Sequence, residues 1–166
     1  ACFSPTGQLL WKKQSGGLDI GSIEDMQLDA AGNVFITGLM KRGTTFAGHT
    51  YLNSTNSSSA PYLTMLDANG NHLWSRIGET NAVSDGQGIA VNNTEIAITG
   101  YCGVLYWPGE TDSIKGVFNQ GYDAFIARFN KTDGSLITME RTNTPFGGAS
   151  YGNAIAAGPQ DTYYLG

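Results

Sequence analysis

The sequence predicts an all-β protein, and three observations lead to that prediction. Short segments rich in β-branched and aromatic residues, such as residues 34–37 and 96–99, suit the pleated, half-buried surface of a strand. Turn sequences that combine Asp or Asn with Gly separate these segments, and Gly supplies the positive φ that a tight hairpin needs. No window of eleven or more residues joins a helical apolar period to helix caps, so residues 23–28, the nearest candidate, are predicted as a strand.

The sequence also contains an internal repeat with a period of about 63 residues. The motif GQLLW at residues 7–11 returns as GNHLW at residues 70–74 and, with Thr in place of Trp, as GSLIT at residues 134–138. Three further features keep the same order: a Thr-Gly strand at 32–38, 93–100 and 161–166, an aromatic-x-Gly-x-Thr stretch at 46–50 and 107–111, and a β-rich segment at 61–66 and 123–129. Four features repeated in one order predict a repeat architecture.

Each repeat holds about four strands, which in the best-preserved copy are predicted at residues 73–77, 88–91, 95–100 and 122–130. Four antiparallel strands in a unit that its neighbours must cover are typical of a β-propeller blade. The predicted blades span residues 1–66 (with a partial start), 67–129 and 130–166 (truncated), all within one propeller domain. Because the repeat register starts and stops inside a unit, we expect an incomplete propeller that is an excerpt of a longer polypeptide.

The repeated motifs follow one another in a distinctive order. An Asp-x-x-Gly-Asn turn leads into a Thr-Gly strand at residues 29–38, and Gly-Ile-Ala-Val stands at residues 88–91. Asp-Ala-Phe-Ile-Ala-Arg occupies residues 123–128. In these motifs nearly the whole chain resembles the bacterial β-propeller repeat called SBBP, with Pro61 and Thr138 as departures from its pattern. The resemblance implies an exported bacterial protein that is secreted or displayed on the cell surface.

Composition narrows the partners that the chain is expected to have. Charged residues make up 14% and the formal net charge is −5, so no basic surface is available for a phosphate backbone and no nucleic-acid partner is expected. No apolar run approaches the ~18 residues of a membrane span. A hydrophobic content of 40% excludes a disordered chain. The expected partners are further blades of the same parent chain or neighbouring protein subunits, with a glycan or a protein as ligand.

The large aromatic residues divide into packing positions and ligand candidates. Trp107 and Phe46 stand at equivalent repeat positions, which predicts that they pack in the core, and the same prediction holds for Trp11 and Trp74. Loop residues without a repeat partner are better ligand candidates than repeated ones. The ligand-binding candidates of this chain are Tyr101, Tyr106 and His49.

One segment carries oxygen donors at metal-ligand spacing. Asp67, Asn69 and Asn71 are spaced like the start of a calcium loop, although no Glu follows at the EF-hand distance. The same residues fit a tight hairpin turn, so both alternatives stay open. Apart from this calcium alternative, no metal and no cofactor are expected.

No residues are predicted as catalytic. Neither histidine stands at zinc-ligand spacing from a second ligand, and the chain has no Gly-x-Ser-x-Gly nucleophile elbow. Cys2 and Cys102 lie about 100 residues apart, and they form either a disulfide of an exported protein or two buried thiols.

The sequence therefore predicts a non-catalytic extracellular or cell-surface module for recognition, adhesion or structural support. One alternative is a catalytic propeller, glycan-active or quinoprotein-like, whose active residues lie elsewhere in the parent chain. Residues 6–11 resemble the Thr-Gly-x-x-x-Trp motif of propellers that hold pyrroloquinoline quinone, but Asn69 replaces the Thr in the second copy. The other alternative is a self-assembling component of a surface structure or filament.

Overall fold

The computed structural model describes residues 1–17, 21–41, 43–51, 59–80, 82–111, 113–114, 121–142 and 148–166. Within these ranges the chain forms strands and one short 3-10 turn at Pro159–Asp161, with no α-helix, which confirms the all-β prediction. The strands are β1 (Cys2–Phe3), β2 (Leu9–Trp11), β3 (Ser15–Gly16), β4 (Asp25–Leu28), β5 (Val34–Met40), β6 (Thr45–Phe46), β7 (His49–Thr50), β8 (Ala60–Leu66), β9 (His72–Ile77), β10 (Glu79–Thr80), β11 (Asp85–Val91), β12 (Glu95–Cys102), β13 (Leu105–Tyr106), β14 (Ser113–Ile114), β15 (Asp123–Asn130), β16 (Leu136–Arg141), β17 (Ile155–Ala157) and β18 (Tyr163–Leu165).

Two four-stranded antiparallel sheets form most of the described structure. Sheet I has the strand order β4-β5-β8-β9, and sheet II has the order β11-β12-β15-β16. Two small three-stranded sheets have the orders β3-β6-β7 and β10-β13-β14, while β1–β2 and β17–β18 each form a two-stranded pair. In the part of the chain that is described, the sheets do not close into a barrel or a propeller ring. No helix in that part is long and apolar enough to cross a membrane.

The boundaries of the four-stranded sheets differ from those of the predicted blades. Strand β9 pairs with β8 of sheet I, whereas the sequence analysis groups residues 73–77 with the strands that follow them. Sheet I thus spans residues 25–77 and sheet II residues 85–141, so the predicted unit at 67–129 does not coincide with one sheet. A repeat period fixes the length of a unit but not its starting point, and a tight turn after β8 brings β9 back onto it.

The repeated Thr-Gly motif has the same structural role in both sheets. The buried hydroxyls of Thr37 and Thr99 donate hydrogen bonds of 2.8 and 2.6 Å to main-chain carbonyls of the neighbouring strand. The glycines that follow them have no room for a side chain, because an added Cβ would lie 2.2 Å from a carbonyl oxygen at Gly38 and 1.8 Å from one at Gly100. These residues are therefore explained by packing within the sheet.

Two hydrophobic clusters lie on opposite faces of sheet I. Phe35 belongs to the cluster shared with sheet II, while Val34 and Ile36 belong to the cluster on the other face, as the two-residue period of a strand requires. Trp107 is 1% exposed in the first cluster and Phe46 is 6% exposed in the second. The prediction that these two aromatic residues pack in the core is confirmed.

Successive sheets meet through a repeated contact near the start of their first strands. Gly86 of β11 lies against Thr37 of sheet I, where an added Cβ would stand 2.4 Å from the threonine hydroxyl oxygen. Gly152, just before β17, lies against Thr99 of sheet II in the same way, with a Cβ 2.0 Å from that oxygen. Glycine at this position lets each sheet approach the preceding one closely.

A second contact repeats at the opposite end of the sheets. The turn glycines Gly70 and Gly134 lie under the indole rings of Trp11 and Trp74, which an added Cβ would approach to 2.8 and 2.7 Å. Both tryptophans are half-buried and pack against the edges of the two hydrophobic clusters, as predicted. The chain therefore stacks its units by one recurring geometry.

Candidate functional site

A cluster of three tyrosines from separate parts of the chain consists of Tyr101, Tyr122 and Tyr151, with Tyr101 in contact with both of the others. The Tyr101 ring lies 5.1 Å from Tyr122 and 5.2 Å from Tyr151 between centroids, in edge-to-face geometry, and Tyr122 lies 6.3 Å from Tyr151. These separations are typical of favourable aromatic pairs. Tyr151 is 47% exposed, so the tyrosine cluster presents an aromatic surface to solvent.

The strand ends hold the tyrosine cluster in place. Tyr101 lies near the end of β12, and Tyr122 directly precedes β15, which pairs with β12. The Gly152 amide donates a 3.0 Å hydrogen bond to the Gly100 carbonyl, and this bond holds Tyr151 beside β12. The cluster thus forms at the junction between sheet II and the segment leading into β17.

Two unpartnered hydrogen-bond acceptors lie on β11, the strand that pairs with the Tyr101 strand. Asp85 is the cross-strand partner of Tyr101 and is only 8% exposed. Its Oδ1 atom and the Oε1 atom of Gln87 are buried and have no hydrogen-bond partner among the described residues. Burial, with the nearby charge of Glu24, raises the pKa of Asp85 to about 6. Burial and the Asp85 charge also raise the pKa of the Tyr101 hydroxyl.

This arrangement suits a ligand that has both an apolar face and hydroxyl groups. Aromatic rings pack against the C–H face of such a ligand, and unpartnered carboxylate and amide oxygens accept hydrogen bonds from its hydroxyls. A buried acceptor without a donor is costly to leave unsatisfied, so a ligand that supplies the donor is stabilised.

Sequence analysis identifies Tyr101 but not the other members of the site. Asp85 stands out in the sequence only as an acid at a strand end, and Tyr122 and Tyr151 carry no motif. The sequence does carry one signal for Tyr151. This residue occupies the repeat position of Asp85, directly before the glycine that packs against a threonine. A change of residue type at an otherwise repeated position is the feature that points to it.

Tyr106 is engaged inside a small sheet. It lies opposite Glu79 in the β10–β13 pairing, and its hydroxyl donates a hydrogen bond to Oε2 of that buried glutamate. This contact links the edge strand β10 to the central strand β13 of the β10-β13-β14 sheet.

His49 belongs to a polar network beside sheet I. Its ring stacks on His72 with centroids 4.4 Å apart and meets the edge of Tyr51 at 5.0 Å. The Tyr51 hydroxyl is hydrogen-bonded to Thr64 and to Ser75, and Ser75 Oγ is 2.7 Å from His72 Nε2. Burial and the neighbouring His49 lower the pKa of His72.

Asp67, Asn69 and Asn71 form the tight turn between β8 and β9. Asp67 Oδ1 accepts hydrogen bonds from the main-chain amides of Asn69 and Asn71 at 2.8 and 2.7 Å, and Oδ2 accepts one from the Asn71 side chain at 2.9 Å. These bonds lower the pKa of Asp67. The described residues contain no group of three or more His, Cys, Asp or Glu side chains placed to hold a metal ion. The turn accounts for the spacing, and calcium binding gains no support from this geometry.

The two cysteines are not bridged. Cys102 is buried in the cluster between the sheets, and burial raises the pKa of its thiol to about 12. Cys2 is half-buried on β1, the first strand in the chain. Of the two alternatives that the sequence left open, the disulfide is wrong.

A cleft of about 650 Å³ lies beside Trp74, where the second unit departs from the first. Trp11 Nε1 donates a 2.9 Å hydrogen bond to the Ala68 carbonyl, whereas Trp74 Nε1 is buried without a partner among the described residues. The turn after β15 closes with a hydrogen bond from the Asn130 amide to the Ser135 carbonyl, so it is one residue longer than the turn after β8. The longer turn thus accompanies the loss of the carbonyl acceptor that Trp11 has.

No protein-family model and no curated protein matches the chain.

Proposed function

We propose that residues 1–166 are part of a β-propeller that acts outside a bacterial cell as a non-catalytic recognition module. The propeller is supported by the way in which sheets follow one another. Strand β11 packs on β4, β5 and β8 of sheet I, and β17 packs in turn on β11 and β12 of sheet II. The first strand of each unit is therefore the one that reaches back to the preceding unit, as expected for blades arranged around an axis.

Recognition is supported by a single observation, the tyrosine cluster beside unpartnered acceptors. Glycine, threonine and tryptophan at repeated positions are accounted for by packing, but Tyr101, Tyr122 and Tyr151 do not recur at equivalent positions. Aromatic surface and carboxylate oxygens together suit a glycan, whose sugar rings carry an apolar face and many hydroxyl donors. The location outside the cell is supported by the low charge content and by the resemblance to SBBP repeats.

The test is binding of the purified chain to an array of bacterial and host glycans, followed by titration of the best ligand. We expect Tyr151→Ala to weaken binding roughly threefold to tenfold through loss of one aromatic contact. Tyr151→Phe is the matched control, because it keeps the ring and should bind nearly as well as wild type. Equal binding by wild type and Tyr151→Ala would contradict the proposal, and a protein ligand found instead would correct the ligand class.

The carboxyl group of Asp85 favours the catalytic alternative, and an assay of glycan hydrolysis tests it. The charge of Glu24 lies near Asp85, and the pKa of Asp85 lies near 6, which is suitable for a general acid. We expect no hydrolysis of a bound, labelled glycan. If products are released and Asp85→Asn abolishes their release without unfolding the protein, the non-catalytic assignment fails.

A further inference from the structure

A second carboxylate lies near Asp85, at the junction between sheets I and II. Glu24 directly precedes β4 of sheet I, and its amide donates a 3.0 Å hydrogen bond to the Thr37 carbonyl. The Oδ2 atom of Asp25 accepts a 3.0 Å hydrogen bond from the Ile89 amide of β11, and this bond holds the start of β4 against sheet II. Burial and the charge of Glu24 both raise the pKa of Asp85. Glu24 and Asp85 are therefore neighbours across the junction of two complete four-stranded sheets.

Two tyrosine hydroxyls lie within the field of both carboxylates. Tyr62 is buried near the start of β8, and burial raises the pKa of its hydroxyl. The charges of Asp85 and Glu24 add to that rise. Burial also raises the pKa of Tyr101, which lies opposite Asp85 in the β11–β12 pairing, and both carboxylates contribute again. One tyrosine of each sheet therefore lies near the same two carboxylates.

Neither carboxylate is neutralised by a cation in the described part of the chain. The ion pairs of that part involve other acidic residues, and Asp85 and Glu24 take part in none of them. Oδ1 of Asp85 has no hydrogen-bond donor, and neither has Oε1 of Gln87, two residues along β11. A buried carboxylate without a partner is costly. Glu24 is exposed, so the pair of carboxylates is open to solvent on its side.

A sugar hydroxyl and a sugar ammonium group would satisfy these acceptors differently. A hydroxyl donates one hydrogen bond and leaves the negative charge in place. An ammonium group donates three hydrogen bonds and carries the opposite charge, so it can bond to the carboxylate and to the Gln87 amide oxygen while neutralising the charge. It is also attracted to the face of a tyrosine ring. Calcium binds through oxygen ligands alone and gains nothing from the rings.

We propose that the glycan recognised by this module carries a free amino group, whose ammonium binds at Asp85 beside Glu24 while the sugar ring packs on the tyrosine cluster. This inference rests on the glycan recognition proposed above and names the class of glycan. The formal net charge of −5 supports it, because an acidic protein attracts a cationic glycan from a distance. N-acetylation of the amine removes its charge and two of its three donors, so the module should discriminate between the two forms.

The test adds matched pairs to the glycan array. Each pair consists of a glucosamine or galactosamine oligosaccharide with free amines and the same oligosaccharide after N-acetylation. The pair that binds best is titrated by calorimetry at pH 7. We expect the free amine to bind roughly tenfold to a hundredfold more tightly than the N-acetylated form, since hydrogen bonds to charged groups are stronger than those between neutral ones.

Three substitutions locate the charge that the amine binds. Asp85→Asn keeps the shape of the side chain and should weaken binding of the free amine by a similar factor, while binding of the N-acetylated form stays within about threefold of wild type. Glu24→Gln should cause a smaller loss, because solvent screens an exposed carboxylate. Glu140→Gln is the matched control. It changes the net charge equally on β16, the opposite edge of sheet II from β11, and should leave both affinities unchanged. Circular dichroism verifies the fold of each variant.

The outcomes separate this inference from the proposed function. Equal binding of both forms, or full binding of the free amine by Asp85→Asn, overturns the amino-sugar assignment. Glycan recognition then stands if Tyr151→Ala still weakens binding. An array on which no glycan is bound overturns both proposals. Binding of free lysine or of calcium through Asp85, with no binding of an amino sugar, assigns the carboxylates to another ligand and also overturns the inference.

Discussion

Asp85 is predicted to lower the stability of the fold at neutral pH. Its pKa rises from 3.8 to about 6 in the folded chain, chiefly because the carboxylate is buried, and Glu24 adds to the effect. A rise of about two pH units corresponds to about 3 kcal/mol. Folded protein holds this proton more tightly than the unfolded chain, so the folding free energy weakens as pH rises from about 4 to 6 and stays weakened above that range.

Asp85→Asn removes the charge and keeps the shape of the side chain. We expect this variant to be about 2–3 kcal/mol more stable than wild type at pH 7 and nearly equal to it at pH 3, where Asp85 is largely protonated in both states. Urea denaturation at the two pH values, followed by circular dichroism, measures the difference. Glu24→Gln should recover part of the same gain at pH 7.

Asp67→Asn is the matched control, because this substitution should lower rather than raise stability at neutral pH. Hydrogen bonds from the turn amides lower the pKa of Asp67, so its contribution to stability is present at neutral pH and lost as pH falls through its folded pKa. We expect this variant to be less stable than wild type at pH 7. If Asp85→Asn is no more stable than wild type at pH 7, or if its gain persists at pH 3, the assignment of a buried and costly carboxylate is wrong. A carboxylate that lowers stability is more readily explained by ligand binding than by folding.

Three further predictions concern the repeated contacts, and denaturation midpoints measure all of them. Thr99→Val should lose about 1–2 kcal/mol, because it removes the donor to a buried carbonyl; a change below 0.5 kcal/mol would argue against that role. Gly100→Ala should prevent stable folding, since its Cβ would stand 1.8 Å from a carbonyl oxygen, whereas Gly103→Ala meets nothing closer than 3.5 Å and should be tolerated. Trp11→Phe should cost more stability than Trp74→Phe, because the Trp11 indole has an acceptor and the Trp74 indole has none among the described residues. The reverse order would contradict the difference between the two turns.

Sequence alone determines the local features of this protein. Strand segments follow from short runs rich in β-branched and aromatic residues, as at β12, and the turn at Asp67 follows from the local chemistry of Asp, Asn and Gly. The burial of Trp107 and Phe46 was predictable as well, because a repeat places large apolar groups at the same packing position in every copy. These features depend on residues close in the chain or on a recurring pattern.

Only the tertiary structure decides which strands share a sheet and which side chains meet. The period of the repeat does not show at which residue each unit begins. The pairing of β9 with β8, rather than with later strands, therefore had to be observed. Tyr101, Tyr122 and Tyr151 meet because separate strand ends converge, and Asp85 gains its raised pKa because folding removes it from water. Contacts and desolvation of this kind arise between residues distant in the chain, and no local pattern encodes them.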